Sequence, residues 1–190
     1  MGKLVWRVKL VAETDGPATE IEVARIERED WAVPETLGLS LDEGKRIAAA
    51  IQAEIVRAQT SAMSEHFRSC GHCGLNLSSK GYRSTIFRSL FGDVPLRVRR
   101  FVGCRCHHFH GERGTFSALT LDGGLAPELA YVTARFAALA PFAKVAELLA
   151  ELLPVGGAQS PARCAIEPTA LVSGWRGCVP PKLPIRTSTR

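Results

Sequence analysis

What this sequence has least of is uninterrupted apolar chain. Its first fifteen residues alternate apolar with charged positions, so they contain no continuous apolar core of a secretory signal. The Ala/Leu-rich stretch at 125–153 is broken by Glu128, Arg135, Lys144, Glu147 and Glu151, too many charges for a span of ~20 apolar residues. These absences point away from the membrane and towards the cytoplasm, where thiols stay reduced and close cysteine pairs favour metal over disulfide. Acidic residues are also sparse in places. Residues 68–113 hold only Asp93 and Glu112, and beyond Arg113 come only Asp122, Glu128, Glu147, Glu151 and Glu167.

What is present divides unevenly. A chain of 190 residues that is 46% hydrophobic is long and apolar enough for one ordinary domain or two small ones, and too apolar to be wholly disordered. The net charge is +5. Residues 1–67 carry eight Lys/Arg against twelve Asp/Glu, residues 68–113 nine against two, residues 114–159 two against four, and residues 160–190 five against one. The positive charge therefore sits mainly on a middle stretch, which also holds four cysteines and has all five histidines within or beside it. A charge concentrated in this way calls for a polyanionic partner.

Periodicity predicts an α+β chain. Leu4, Trp6, Val8 and Leu10 alternate with charged residues, and Ile21, Val23 and Arg25 resume the period of two after Thr14-Asp15-Gly16-Pro17, which makes a β-hairpin (1–38). Ser40 stands three residues before Glu43, a capping-box pair. Ile47, Ile51, Ile55, Ala58 and Ala62 then recur at helical spacing, predicting a long helix that ends near Phe67 (39–68). Two strand-like runs, 82–90 and 94–102, flank Phe91-Gly92-Asp93 and make a second hairpin (69–113). Pro127 opens a helix to about Ala140 and Phe142 one to Leu152, with Pro141 between them (114–157). Residues 158–190 are proline-rich, without sustained period, and are expected to form no packed structure.

The second hairpin carries a cysteine pair at each end, which is how a zinc ribbon delivers four ligands from two points of the chain. Cys70-Gly71-His72-Cys73-Gly74 has the two-residue spacing that lets both thiolates reach one ion. Cys104-Arg105-Cys106 has only one residue between its sulfurs, so His107 and His108 compete with Cys106 for the last place, and His110 follows as a further candidate. Zn2+ is the expected cofactor because thiolates suit it. A set of reduced cysteines in a small core is the plainer reading. A thioredoxin-like redox pair would need a βαβ context that the hairpin does not offer.

Between the cysteine pairs lie Lys80, Arg83, Arg88, Arg97, Arg99 and Arg100, opposed only by Asp93. Strand alternation puts Arg97 and Arg99 on one face and Leu96, Val98 and Arg100 on the other. Guanidinium groups match phosphate oxygens, and Tyr82, Phe87 and Phe101 offer stacking surfaces, so the hairpin is a candidate nucleic-acid-binding surface. The plainer reading is a solvated sheet face. The two helices after it have the order of a helix-turn-helix.

Several ordered segments together resemble one family, the transposases of the Kra-type insertion sequences, over about residues 3–160. They are Glu22-Val23-Ala24-Arg25-Ile26, Leu37-Gly38-Leu39-Ser40-Leu41 before Glu43-Gly44-Lys45, the Cys70 to Cys73 knuckle, and Leu90-Phe91-Gly92-Asp93-Val94. Further on come Cys104-Arg105-Cys106, Thr115-Phe116-Ser117, and Pro127-Glu128-Leu129-Ala130-Tyr131 running to Leu152-Leu153-Pro154. The resemblance implies an enzyme with an N-terminal zinc ribbon and helix-turn-helix and a later RNase-H-like domain bearing three metal-binding carboxylates. Residues beyond Pro154 cannot supply that domain, so the expectation is a truncated N-terminal region that binds DNA at transposon ends without strand-transfer activity, and is not itself an enzyme. Its expected partners are DNA, a further copy of itself or the full-length transposase.

The tail departs from the family. Members continue into a third helix containing Thr-Val-Arg-Asn-Arg, where this chain has Arg163-Cys164-Ala165-Ile166-Glu167-Pro168. Codons such as CGG TGC GCA ATC GAA CCG, read from the last base of the arginine codon, give Val-Arg-Asn-Arg-Thr, so the tail reads as an out-of-frame continuation. Two other expectations stand beside this one: a stand-alone zinc-ribbon module binding RNA or protein, and a degenerate fragment without function.

Overall fold

The computed structural model describes residues 2–13, 17–29, 34–106, 114–119 and 124–156. Alternation over the first residues builds the strands β1 (Leu4–Ala12) and β2 (Thr19–Arg28), which pair antiparallel from Leu4 with Arg28 to Ala12 with Thr19. Val8 pairs with Ala24 and Lys9 with Glu22, so Val23 is an extra residue bulged from β2. Ion pairs Lys3–Glu27, Arg7–Glu22 and Lys9–Glu20 cross the strands. All are largely solvent-exposed, so water and salt screen them and they add little to stability.

One side chain ties this hairpin to the next element. Arg28 uses all five of its N–H donors. Nη1 donates to Glu43 Oε1 at 2.7 Å and to the Glu27 carbonyl at 3.1 Å, and Nη2 to Glu43 Oε2 at 2.7 Å and to the Gly38 carbonyl at 2.9 Å. Nε donates to the Thr36 carbonyl at 3.2 Å, in the short 3-10 turn Pro34–Thr36. Glu43 is thereby shared between the arginine and the capping box of α1 (Leu41–His66), in which Ser40 Oγ accepts from the Glu43 N–H and Glu43 Oε2 from the Ser40 N–H.

Helix α1 has the expected length but not the expected buried face. Val56 and Thr60 are buried against the second sheet, with Ala53 packed beside them, whereas Ile55 is 40% exposed and Ala58 and Ala62 are exposed. The isoleucine stripe is the more hydrophobic one. The face of the hairpin that meets α1 packs against the smaller residues, because a close-packed surface selects by volume as well as by polarity.

The second sheet comprises β3 (Ser79–Ser89), β4 (Gly92–Val102) and β5 (Thr115–Ser117), in the order β3-β4-β5. Its turn is one position earlier than expected. Ser89 pairs with Gly92, leaving Leu90-Phe91 as a two-residue loop, and Ser89 Oγ accepts from the Phe91 N–H at 3.1 Å and donates to the Gly92 carbonyl at 3.0 Å. Gly92, at φ 116°, abuts Ala49 of α1 and the Pro154 carbonyl. No periodic pattern announced β5, a strand of three residues that pairs Ser117, Phe116 and Thr115 with Arg100, Phe101 and Val102.

Two apolar clusters organise these elements. The first joins Val56 of α1 to Val94, Leu96, Val98 and Phe101 of β4, with Cys70, Leu77, Cys104 and Ala118. The second joins α2 (Pro127–Ala137) and α3 (Phe142–Leu152) through Leu129, Val145 and Leu149, with Ala126 and Val155. Phe87 of β3 packs against both. α3 has its expected bounds. α2 stops at Ala137, short of Ala140, because the Leu139 and Ala140 N–H groups both turn back to the Phe136 carbonyl ahead of Pro141. Among the described residues, no helix is long and apolar enough to cross a membrane.

Candidate metal centre and basic face

The first cysteine pair follows directly from the end of α1. The Gly74 N–H bonds the Cys70 carbonyl at 2.8 Å, the Cys70 N–H bonds the Leu75 carbonyl at 2.9 Å, and Ser69 bridges Asn76, folding residues 69–76 into a small knuckle. The second pair leaves the end of β4, where the Val102 N–H bonds the Ser78 carbonyl at 2.9 Å and the Gly103 N–H the Gly114 carbonyl at 2.9 Å. Phe101, fully buried beside the second pair, meets Phe116 at a tilt of 37° with ring centres 5.9 Å apart, and the Phe116 ring meets Phe67 edge-on at the end of α1. Antiparallel pairing thus returns β4 to where β3 began.

The result is a cluster of four sulfurs. The Sγ atoms of Cys70, Cys73, Cys104 and Cys106 all lie within 4.8 Å of one another, and Cys73 Sγ is 3.8 Å from Cys104 Sγ. Tetrahedral coordination at a metal–sulfur distance of about 2.3 Å places neighbouring sulfurs about 3.8 Å apart. The four residues therefore can bind a metal ion, and the one-residue spacing of Cys104 and Cys106 does not keep either sulfur out. Cys70 and Cys104 are buried, Cys106 is half-buried and Cys73 is exposed. His107, His108 and His110 lie outside the described residues.

Electrostatics divides the cluster. The backbone N–H groups of Cys73 and, second, His72 point at the Cys70 sulfur and, with the Cys104 thiol, pull it down to about 6. The Cys106 thiol is pushed up to about 12 by its hydrogen bond to Cys73, by burial and by Cys104. Crowded sulfurs cannot all shed their protons unaided. A divalent cation among them reverses the bias, because its field favours every thiolate.

The six basic residues of the hairpin are spread over several surroundings, with Arg97 and Arg99 on the face opposite Arg100, as strand alternation predicts. Arg97 and Arg99 lie on the open side of the sheet with Tyr82, whose ring has the Arg97 guanidinium 5.1 Å and that of Arg99 5.7 Å from its centre. Arg99 Nη2 donates to the Tyr82 hydroxyl at 3.3 Å, and Nη1 lies 3.5 Å from Glu65 of α1, a neighbour the local pattern could not reveal. Lys80 and Arg83 are exposed, but Arg83 pairs with Val98 and so stands on the opposite side of the strand from Tyr82. Arg100 is half-buried beside β5 and donates to Thr115 Oγ1 at 3.1 Å.

Arg88 has different surroundings from Arg97. It is half-buried where β3 meets the segment before α2, its N–H bonding the Gly124 carbonyl and its carbonyl accepting from the Ala126 N–H, both at 2.7 Å. Its Nε is buried without a hydrogen-bond partner among the described residues. It is a junction residue and does not belong to an open surface. Phe87 and Phe101 are core, leaving Tyr82, 53% exposed, as the one stacking candidate of the three that faces solvent. No family model matches the chain, and no curated protein or solved structure matches it.

Proposed function

We propose that this chain is the DNA-docking N-terminal region of a transposase of the Kra-type insertion-sequence kind, organised by one Zn2+ on Cys70, Cys73, Cys104 and Cys106 and carrying no strand-transfer chemistry of its own. The observation that carries the proposal is that one hairpin joins four clustered sulfurs at its foot to an exposed Arg97, with the half-buried Arg99 beside it against the same Tyr82 ring. Four soft thiolates within 4.8 Å of one another suit zinc. A bound ion holds the two ends of the hairpin together, and the strand repeat then sets Arg97 and Arg99 side by side on one face of β4. Two guanidinium groups on a rigid strand offer phosphate oxygens the fork geometry that arginine binds best.

Metal analysis of the purified chain is the first test, with one zinc per chain expected. DNA binding is the second. Affinity should fall with salt as counterions return to the phosphates, and Arg97→Ala with Arg99→Ala should flatten the log–log salt dependence by about 0.9 per lost contact on a duplex, or about 0.7 on a single strand. Binding that is undiminished at high salt, or absent in the zinc-loaded chain, would remove the proposal.

A further inference from the structure

Resting on the docking reading above, we infer that the open face of the β3-β4 sheet takes unpaired rather than duplex nucleic acid, with Tyr82 stacking on a base and Arg97 holding an adjacent phosphate. The first observation is what surrounds the hairpin. A two-stranded ribbon enters the major groove, about 12 Å wide, when it stands clear of other elements. Here β4 carries β5 on its far edge, and the inner side of the hairpin is packed against α1. What remains is a platform, which a paired base inside a groove cannot reach.

The second observation is the chemistry of that platform. Cross-strand pairs put Tyr82 with Arg99, Ser84 with Arg97 and Ile86 with Pro95 on the open side. Tyr82 is 53% and Ile86 41% exposed, and Ser84, Pro95 and Arg97 are exposed as well. An aromatic ring beside apolar surface matches the flat faces of bases, which only unpaired strands present. The third observation is how little free charge accompanies it. Arg97 makes no ion pair among the described residues, and Arg99 is partly neutralised by Glu65 at 3.5 Å. One or two phosphate contacts are few for a duplex backbone. Guanidinium planes flanking a ring extend the stacking surface instead.

The test compares a labelled oligothymidylate with a duplex of the same length, by fluorescence anisotropy on the full zinc-loaded chain at a fixed salt concentration. The single strand is expected to bind more tightly, with a log–log salt slope of about −0.7 to −1.4 for one or two phosphates. Tyr82→Ala should weaken that binding about 5- to 150-fold, the range for loss of one stacked base. Tyr82→Phe, which keeps the ring, should stay near the parent. Because Tyr82 is half exposed, unchanged zinc content and circular dichroism should show that both variants fold. Equal or tighter binding of the duplex, or no loss with Tyr82→Ala on the single strand, would overturn the inference while zinc-dependent, salt-sensitive docking stands. If neither nucleic acid binds, the docking reading falls with it.

Discussion

Replacing Cys106 by Ser separates a metal centre from a pocket of reduced cysteines. All four sulfurs lie within 4.8 Å of one another. A tetrahedral edge is about 3.8 Å, so no pair has to close by more than about 1 Å to hold an ion. Binding of structural zinc contributes about 10–16 kcal/mol to small domains that depend on it, as much as the whole stability of an ordinary domain at about 5–15 kcal/mol. One thiolate of four accounts for roughly 3 kcal/mol of that, which is over a hundredfold in affinity. Competition with a chromophoric chelator should therefore show Cys106→Ser losing zinc at chelator concentrations the parent withstands. Its thermal melt should fall between those of the zinc-loaded and the chelated parent, and the cobalt-substituted protein should show a weaker sulfur-to-metal charge-transfer band. If Cys106→Ser keeps its zinc affinity while alanine at His107 or His108 abolishes it, the fourth ligand has been misassigned. If the parent itself holds no metal, the cluster is a pocket of reduced thiols and not a metal centre.

Two further outcomes concern the frame that holds the site. The Glu43 carboxyl is held at about 2 by Arg28 first and the Ser40 backbone next, against an ordinary value of 4.5. The folded chain therefore binds that proton more weakly than the unfolded one, so its contribution is complete above the ordinary carboxylate range and is lost as pH falls from about 4.5 towards 2. Urea midpoints across that window should drop less steeply in Glu43→Gln than in the parent. Gly124 sits at φ 68°, and a Cβ there would lie 2.4 Å from the Ile86 carbonyl oxygen. Gly124→Ala combines a left-handed penalty of about 1–2 kcal/mol with loss of the two Arg88 backbone bonds, about 0.5–1.5 kcal/mol each, so denaturation should register a loss of about 2–5 kcal/mol. Gly44→Ala, in open space on α1, should instead stabilise by up to about 1 kcal/mol.

The elements that were legible in the sequence are those whose signal is local. The capping box at Ser40 and Glu43, Pro127 at the first turn of α2 and the alternation along β4 each depend on neighbours within a few residues, and each has its expected place. So did the four cysteines, because their spacing is set by the reach of a thiolate. What could not be read depends on tertiary contact. β5 has only three residues and becomes a strand because β4 offers it a free edge. The choice of Val56 and Thr60 over Ile55 on α1 depends on how the helix packs against β4, a tertiary contact. The five bonds of Arg28 come from four separate residues spread over 27–43. Arg88 reads as one more positive charge in a basic run, until the segment before α2 folds over it.

Phe87 packs into both apolar clusters, β5 completes the sheet from beyond the second cysteine pair, and Ala118 closes the first cluster from the same side. The cysteine hairpin is consequently not a cassette. Boundaries between independent units fall where few contacts cross, and a cut between residues 113 and 114 would strip an edge strand from β4 and a side chain from the core beneath the sulfurs. Grafting 69–113 alone into another scaffold would carry the ligands but leave behind the wall they rest on. Recombination that preserves this part of the molecule has to move α1, the sheet and the helix pair together.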